Sequence, residues 1–597
     1  MPTAIVTGQP VPGSSLGDDL RSLGFDVRVA VGSAEAETLL AAAGDRVALV
    51  DARFVGHVHA LRLGLTDPRF PLSAVPGAVT AQPAARQALT RAVVRETSAG
   101  GGVALAVDSL ADRIVTALDA DGCEVHRPQL GSLVAAVPAD PQARNEARQA
   151  VAAVDDEAVR LTSAVKSRDG FFTTFFISPY SRYIARWCAR HGLTPNQVTT
   201  ASLLTALIAA GCAATGTRGG FIAAGVLLIA SFVLDCTDGQ LARYALKYST
   251  LGAWLDATFD RAKEYAYYAG LALGAARGGD DVWALALGVM VLQTCRHVVD
   301  FSFTEASHDA TADTSPTAAL SGKLDGVGWT VWVRRMVVLP IGERWALIAI
   351  LTAATTPRIT FYVLLSGCAV AAAYTTAGRA LRSLTRKARR TDRAARALAG
   401  LADRGPLADA LERVAGRGLR GLAVPAVALL GGAAVVACSA LTGSGSVLPV
   451  IGALVYALTS ALATARPLEG ALDWLVPSFF RAAEYGTVLA LAGKAGVNGA
   501  LPAAFGLVAA VAYHHYDTVY RIRGNAGAPP AWLVRAVGGH EGRTLLVTVL
   551  AAVLAASQFT VALTVLAVAV ALLVLFESIR FWVSAGAPAV HDEGETA

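Results

Sequence analysis

Charge is scarce in this chain. Asp, Glu, Lys and Arg make up 16% of its 597 residues, against 54% hydrophobic. That balance, with a mean hydropathy of +0.48, excludes an ordinary soluble enzyme. The apolar residues come in blocks long enough to span a bilayer. Cysteine is thin as well: seven residues, scattered, with no paired CxxC spacing, which argues against a disulfide framework or a zinc site. The first residues, MPTAIVTGQPVPG, lack a charged stretch followed by an apolar one, so no cleavable signal peptide is read. The net charge of +5 is small. It fits the positive-inside bias of a membrane protein and not a nucleic-acid footprint, so no nucleic-acid partner is expected.

What is present is a soluble front end on a multi-span helical membrane protein. Residues 1–165 alternate strand-like runs (Ala4–Thr7, Phe25–Val31, Arg46–Val50) with helical ones (Leu16–Leu23, Ala34–Ala43), which predicts an α/β domain with a mostly parallel sheet. Gly8 and Gly13 follow the first strand, where a phosphate loop would lie, but match neither a P-loop nor GxGxxG. A charged helical run, Asp140–Lys166, leads toward the membrane. Residues 166–195 form a juxtamembrane segment in which Arg182, Arg186 and Arg190 are interleaved with Phe, Tyr and Trp. That pattern fits an amphipathic helix at the headgroup level; a surface helix packed on the soluble domain is the alternative.

Six apolar segments follow within 196–385, at about 197–216, 219–242, 250–275, 281–304, 341–356 and 359–383. Six more follow within 417–585, at about 418–440, 446–464, 471–493, 499–520, 543–556 and 558–583. The expected fold is therefore about twelve spans in two six-helix blocks. A basic linker, 386–416, joins the blocks, and a charged tail, 586–597, ends the chain. Lys and Arg near the segment ends (Arg243, Lys247, Lys323, Arg334, Arg335, Arg379, Arg382, Arg386, Lys387, Arg389, Arg390) place the front domain and the linker on the cytoplasmic side.

The second block reads as a worn copy of the first. Phe259–Tyr265 (FDRAKEY) compares with Phe479–Tyr485 (FFRAAEY), His297 and Asp300 with His514 and Asp517, Gly342-Glu-Arg344 with Glu541-Gly-Arg543, and Arg379 with Arg580. Asp256 and Asp260 would align with Val476 and Phe480, so the copy has lost those carboxylates.

Those carboxylates belong to the stretch Asp235–Asp260. Asp235 and Asp238 are spaced i, i+3, and Asp256 and Asp260 i, i+4, so each pair projects from one helix face. Carboxylates beside apolar spans are costly unless they line a wet cavity or bind cations. Four hard oxygen donors suit Mg²⁺ or Mn²⁺. Two such ions on shared carboxylates can neutralise a pyrophosphate and polarise the phosphorus under attack, while a remaining carboxylate takes the proton of an attacking hydroxyl. Gly239 removes a side chain where a nucleotide can approach, Ala242 continues the small face, Gly252 is permissive opposite, and Arg243 can reach phosphate oxygens.

The full pattern, D-x2-D-G-x2-A-R-x8-G-x3-D-x3-D, is met at Asp235, Asp238, Gly239, Ala242, Arg243, Gly252, Asp256 and Asp260. It resembles the signature of the CDP-alcohol phosphotransferase (CDP-alcohol phosphatidyltransferase) family, and Leu193–Thr199 resembles that family's entry to its first span. The resemblance implies Asp235, Asp238, Asp256 and Asp260 as metal ligands, with Asp260 also the general base. It implies Gly239, Ala242, Arg243 and Gly252 as contacts to the cytidine diphosphate. The donor would be CDP-diacylglycerol or a CDP-polyol, the acceptor an alcohol or polyol phosphate, and CMP the leaving group. An integral protein of a prokaryotic plasma membrane is expected, in contact with membrane lipid and with a homodimer left open.

Residues 1–165 resemble the cytidylyltransferase that some relatives fuse to this membrane domain, but lack its GxGTR…K signature, so a degenerate nucleotidyltransferase-like domain is expected. His297, Asp300, Arg334, Arg335 and Arg379 are weaker candidates for the acceptor. A buried pair (His297, Asp300) and positive-inside anchoring (the arginines) explain them equally well. His514, His515 and Asp517 suggest either a polar chamber or an interface in the second block. Two other functions stay open at this point: a non-catalytic scaffold that keeps the motif for ion binding, and a bifunctional cytidylyltransferase–phosphotransferase.

Overall fold

Three short β-rich runs separated by helices can bury their apolar faces only by pairing side by side, and they do. The computed structural model describes residues 1–99, 109–166, 169–307, 332, 336, 338–385, 390–415, 418–443 and 445–584. Its contacts divide into two compact units. The first unit comprises Met1–Ser167, Tyr180–Pro195 and Thr237–Ser249.

In that unit β1 (Thr3–Thr7), α1 (Leu16–Ser22), β2 (Asp26–Ala30), α2 (Ser33–Ala42) and β3 (Val47–Asp51) alternate as expected. β1 lies between β2 and β3 and is parallel to both. After β4 (Val55–Gly56) and α3 (Val58–Leu65), the hairpin β5 (Leu72–Val75) and β6 (Ala78–Ala81) adds two further strands. The sheet order is β2-β1-β3-β6-β5, with β6 antiparallel to both β3 and β5. The expected mostly parallel sheet is therefore mixed. Val75-Pro-Gly77 makes the reversal, with Gly77 at φ 78°, a conformation that a residue with a side chain resists. Helices α4 (Arg86–Ala99) and α5 (Leu110–Ala120), the short β7 (Ala135–Ala136), α6 (Pro141–Ala152) and α7 (Asp156–Ser163) complete the domain. Asp140 and Asp155 cap the last two helices through their side chains.

His59, on α3, is buried and neither ring nitrogen has a hydrogen-bond partner among the described residues. Burial, with Arg160, Arg62 and His57 nearby, pushes it down to about 4. Between pH 4 and 6.5 the unfolded chain therefore binds more protons at this position than the folded one. Its contribution to stability is complete above about 6.5 and is lost as pH falls toward 4, by ~3 kcal/mol in all. Hydrogen exchange on the full chain, corrected for intrinsic rates, is expected to show β1–β3 losing protection from pH 7 to pH 5, and His59→Leu to remove most of that change.

The juxtamembrane helix α8 (Ser178–Arg190) buries Ser178, Ser181, Ala185 and Cys188 and exposes Tyr180, Tyr183 and Trp187. That exposed aromatic stripe suits the headgroup level. Its arginines also reach the front domain, Arg186 and Arg190 lying 3.9 and 3.8 Å from Glu157, so features of both readings of this helix coexist.

The second unit comprises Arg168–Pro179, Asn196–Cys236 and Thr250–Ala597. Its helices are α9 (Pro195–Ala214), α10 (Arg218–Ala245), α11 (Thr250–Arg277), α12 (Trp283–Ser307), α13 (Ile341–Ala354), α14 (Pro357–Thr385), α15 (Asp392–Ala402), α16 (Pro406–Ala415), α17 (Ala423–Leu441), α18 (Leu448–Thr464), α19 (Val476–Lys494), α20 (Ala500–Arg523), α21 (Ala531–Val537), α22 (Gly539–Val553) and α23 (Ala556–Ser584). α10 runs unbroken through the division between the units.

Twelve of these helices lie on the twelve expected apolar segments. Six of them, α9, α10, α12, α14, α17 and α23, are long and apolar enough to cross a membrane. α13, α18 and α22 have 14, 17 and 15 residues, short of the ~20 that a bilayer core needs. α11, α19 and α20 are long but carry charged side chains turned into the protein, among them Lys263, Glu264, Arg481, Glu484, Asp517 and Arg521. Close backbone approach joins α11 to α9: a Cβ at Gly270 or Gly274 would fall 2.4 and 2.0 Å from the carbonyl oxygens of Ala210 and Ala213, a small-residue contact of the membrane type.

The expected basic linker is in part a helical hairpin, with Leu398 and Leu401 of α15 fully buried. Asp403 closes α15 in the left-handed conformation, φ 53°. Arg386, Lys387 and Arg389, like Lys323, Arg334, Arg335 and the tail, lie outside the described residues.

Candidate functional site

Helical periodicity sets the site's geometry. Asp235 and Asp238 occupy successive turns of α10, and Asp256 and Asp260 successive turns of α11, with the short connection 246–249 between the two helices. Asp235, Asp238 and Asp256 each offer a carboxylate oxygen within 4.8 Å of the other two. Such a group of like charges repels itself unless a cation sits among them, and three carboxylate oxygens are the donor set that Mg²⁺ or Mn²⁺ takes. The residues fit the expected metal. Asp260 stands one turn beyond Asp256, outside that group of three.

A cation that sequence reasoning overlooked accounts for the position of Asp260. Lys263, fully buried, contacts Asp235 and lies 2.9 Å from Asp260 and 3.2 Å from the Ser202 hydroxyl. Its spacing from Asp260, i+3 on the same helix, was the available signal. Ser202 in turn ties α9 to α10 by donating to the Ser231 carbonyl at 2.8 Å. Lys263→Met is expected to strand two partly buried carboxylates, lowering stability by ~3 kcal/mol when divalent ions are chelated. Mn²⁺ should recover much of that loss, read as the thermal midpoint of the full chain in detergent with and without the ion. Equal losses in both conditions would contradict the role.

The other motif residues follow along α10. Gly239 lies on α10 one turn before Arg243, whose guanidinium nitrogens would stand 3.4–3.5 Å from a Cβ placed there. Arg243 Nε donates to the Ala164 carbonyl at 2.6 Å, at the end of α7. Next to it, Tyr244 donates to Glu157 at 2.9 Å, and the Arg160 guanidinium covers its ring at 3.6 Å. The end of the motif helix is thus pinned to α7. Ala242 and Gly252 are both partly exposed.

Behind the carboxylates, Glu264 accepts from Arg261 at 2.9 Å and pairs with Arg344 at 3.1 Å, and Tyr268 donates to it at 2.7 Å. His297 and Asp300 are both engaged, though not with each other. Nδ1 of His297 meets the Tyr516 hydroxyl, with Arg261 Nη1 3.4 Å away, while Asp300 pairs with Arg379. Arg296, buried on the same helix, donates to the Val338 carbonyl, and its Nε and Nη1 have no hydrogen-bond partner among the described residues.

The second block repeats part of this arrangement. Glu484 accepts from Arg481 at 2.9 Å and from Arg543 at 2.5 Å, as Glu264 pairs with Arg261 and Arg344. The three helices that follow in each block have similar lengths, 25, 14 and 29 residues for α12–α14 against 24, 15 and 29 for α20, α22 and α23, while α11 with 28 is longer than α19 with 19. At the position aligned with Asp260, Phe480 stacks on His540 at 4.2 Å. Asp403 enters from the α15–α16 hairpin, 2.7 Å from Arg543 and 3.4 Å from His514. Burial pushes its carboxyl up, but Arg543, His514 and Arg481 together hold it well below the usual carboxylate range. His515 is buried. Asp517 accepts from Arg521, Ser578 and Trp582 at 2.8, 2.6 and 2.8 Å.

Two stretches of the chain match known protein families. Residues 192–374 match the CDP-alcohol phosphatidyltransferase family. Residues 392–597 match a family of unknown function, DUF5941. The chain is similar to a phosphatidylinositol phosphate synthase of Streptomyces avermitilis, 35% identical over 136 residues, which cover 23% of this chain and 52% of that protein. It is similar to an archaetidylinositol phosphate synthase of Pyrococcus horikoshii, 37% identical over 91 residues, 15% of this chain and 47% of that protein. Against a bifunctional IPC transferase and DIPP synthase of Aquifex aeolicus it is 35% identical over 80 residues, 13% of this chain and 18% of that protein. The chain thus spans about half the length of the first two relatives. The family and the six apolar helices together mark an integral membrane protein.

Proposed function

We propose that the block at residues 196–385 transfers a phosphoalcohol group from a CDP-alcohol to an acceptor hydroxyl with release of CMP. The observation that carries this reading is the convergence of Asp235, Asp238 and Asp256 within 4.8 Å, inside a family pattern whose eight positions are all met. Divalent ions held by these carboxylates, two in this reading, would neutralise the pyrophosphate and polarise the phosphorus that bears the alcohol.

The chain's own side chains do the rest. Lys263 orients Asp235 and Asp260. Asp260 takes the acceptor's hydroxyl proton as the new P–O bond forms, and the bond from that phosphorus to the bridging oxygen breaks, so that oxygen leaves on CMP. Gly239, Ala242 and Gly252 leave room for the nucleotide, and Arg243 meets its phosphates. CDP-diacylglycerol is the donor and a phosphorylated inositol the acceptor, a choice supported by the names of the relatives that make inositol phosphate lipids. Nε and Nη1 of Arg296, which have no partner among the described residues, suit the acceptor's phosphate.

In this reading all twelve helices sit in a prokaryotic plasma membrane with the site and front domain cytoplasmic. The front domain is a degenerate nucleotidyltransferase relative, and the second block a degenerate copy of the first. Purified full chain supplied with CDP-diacylglycerol, Mg²⁺ and an acceptor panel tests the choice by mass spectrometry of the lipid product. A phosphatidylinositol phosphate is expected. A lipid built only on another alcohol would overturn the acceptor, and pyrophosphate released from CTP and a polyol phosphate would restore a bifunctional reading.

A further inference from the structure

The helix that carries Asp256 and Asp260 has a second face. Residues 254, 258, 261 and 265 recur at i, i+4, i+7 and i+11, a single stripe of α11, while 256, 260 and 263 form a stripe about 200° around the axis. The carboxylates and Lys263 therefore face one way, and Trp254, Thr258, Arg261 and Tyr265 face the other.

Every residue of that rear stripe meets a side chain of the second block. Trp254 stacks on Trp582 of α23, ring centroids 6.1 Å apart and planes within 20°. Thr258 lies near the Tyr513 hydroxyl, which donates to Ser578 at 3.0 Å. The Arg261 guanidinium lies 5.3 Å from the centre of the Tyr516 ring, and the Tyr265 hydroxyl lies near that of Tyr516.

These partners are themselves held. Trp582 donates to Asp517 at 2.8 Å, and Asp517 is fixed by Arg521 and Ser578. Tyr516 also bonds His297 of α12. Trp254, Trp582, Tyr516 and Asp517 are all buried, so the contact is a packed aromatic seam and not a loose touch.

We propose that the second block is a brace for the metal-binding helix: Trp582, Tyr513 and Tyr516 are positioning residues that fix the rotation and depth of α11, and through it the separation of Asp256 from the carboxylates of α10. The inference rests on the metal-site reading above and gives the segment of unknown function a task in that chemistry. Ligand carboxylates must be held within a fraction of an ångström, and supporting residues on rigid elements do that. A copy that lacks the carboxylates but turns an aromatic face toward α11 fits this division of labour.

The test uses the full chain in detergent and two readouts: Mn²⁺ binding, followed by loss of the free-ion resonance signal, and CMP release. Trp582→Ala is expected to raise the Mn²⁺ concentration for half-occupancy at least fivefold and to lower kcat, with KM for the donor changed less than twofold. Trp582→Phe, which keeps a ring, should recover most of the affinity. Tyr516→Phe deletes one hydroxyl without opening the seam, so it carries the test if the alanine variant does not fold, with a two- to threefold weakening expected. Phe576→Ala, on the exposed side of α23, should change nothing. Variants that bind Mn²⁺ as the wild type does would overturn the brace alone. A wild-type chain that neither binds Mn²⁺ nor releases CMP would overturn the site reading and the brace with it.

Discussion

Asp256→Asn lowers CMP release by on the order of a thousandfold or more, ~4 kcal/mol of transition-state stabilisation, while the chain stays folded. The substitution is isosteric and removes a single negative oxygen from a group of three that lie within 4.8 Å of one another. Their mutual repulsion is relieved in the variant, so thermal stability in the absence of divalent ions is expected to hold or rise. Activity falls because the remaining two carboxylates bind the cation too weakly to offset the charge that develops on the pyrophosphate. Asp260→Asn should also stop transfer, by a different route. It keeps the three-carboxylate group intact, so Mn²⁺ binding survives where turnover does not. A variant at Asp256 with near wild-type turnover at saturating Mg²⁺ would remove it from the ligand set.

Glu484→Gln carries a large stability effect in the second block. Glu484 is buried between Arg481 and Arg543, and the amide leaves two buried guanidinium groups sharing Asp403 alone. Breaking a buried network of this kind costs ~3–5 kcal/mol, which is expected to lower the thermal midpoint of the full chain in detergent by about 2–4 °C. Asp18→Asn provides the contrast, because its partner Arg21 and Asp18 itself are both largely exposed, and exposed pairs of this type contribute little. No measurable shift is expected there. Comparable midpoints for the two variants would show that the second block does not depend on its charge network.

The candidate site was legible because its signal is local. Eight residues on two neighbouring helices carry it, and helix periodicity alone converts their spacing into shared faces. The front domain's first three strands and the positions of twelve helices were legible for the same reason, since each is a run of one period. What escaped depends on contacts between distant segments. Lys263 sits within the stretch FDRAKEY, but its pairing with Asp235 on another helix gives no spacing to read. Asp403 belongs to a segment that reads as a polar linker, yet it supplies the carboxylate between Arg481 and Arg543. The Trp254–Trp582 contact joins residues more than three hundred positions apart. The β5–β6 hairpin was readable from Val75-Pro-Gly77, and it makes the sheet mixed where the alternation of strands and helices suggested parallel pairing.

The central claim is that the carboxylates of α10 and α11 drive CMP release through a divalent ion, and one measurement addresses it most directly. Purified full chain is incubated with CDP-diacylglycerol and inositol phosphate, and CMP is quantified with Mg²⁺ or Mn²⁺, after chelation, and for Asp256→Asn. The account predicts CMP release that requires donor, acceptor and divalent ion together and is absent from the variant. A folded wild-type chain that releases no CMP, or releases it equally after chelation, would contradict it.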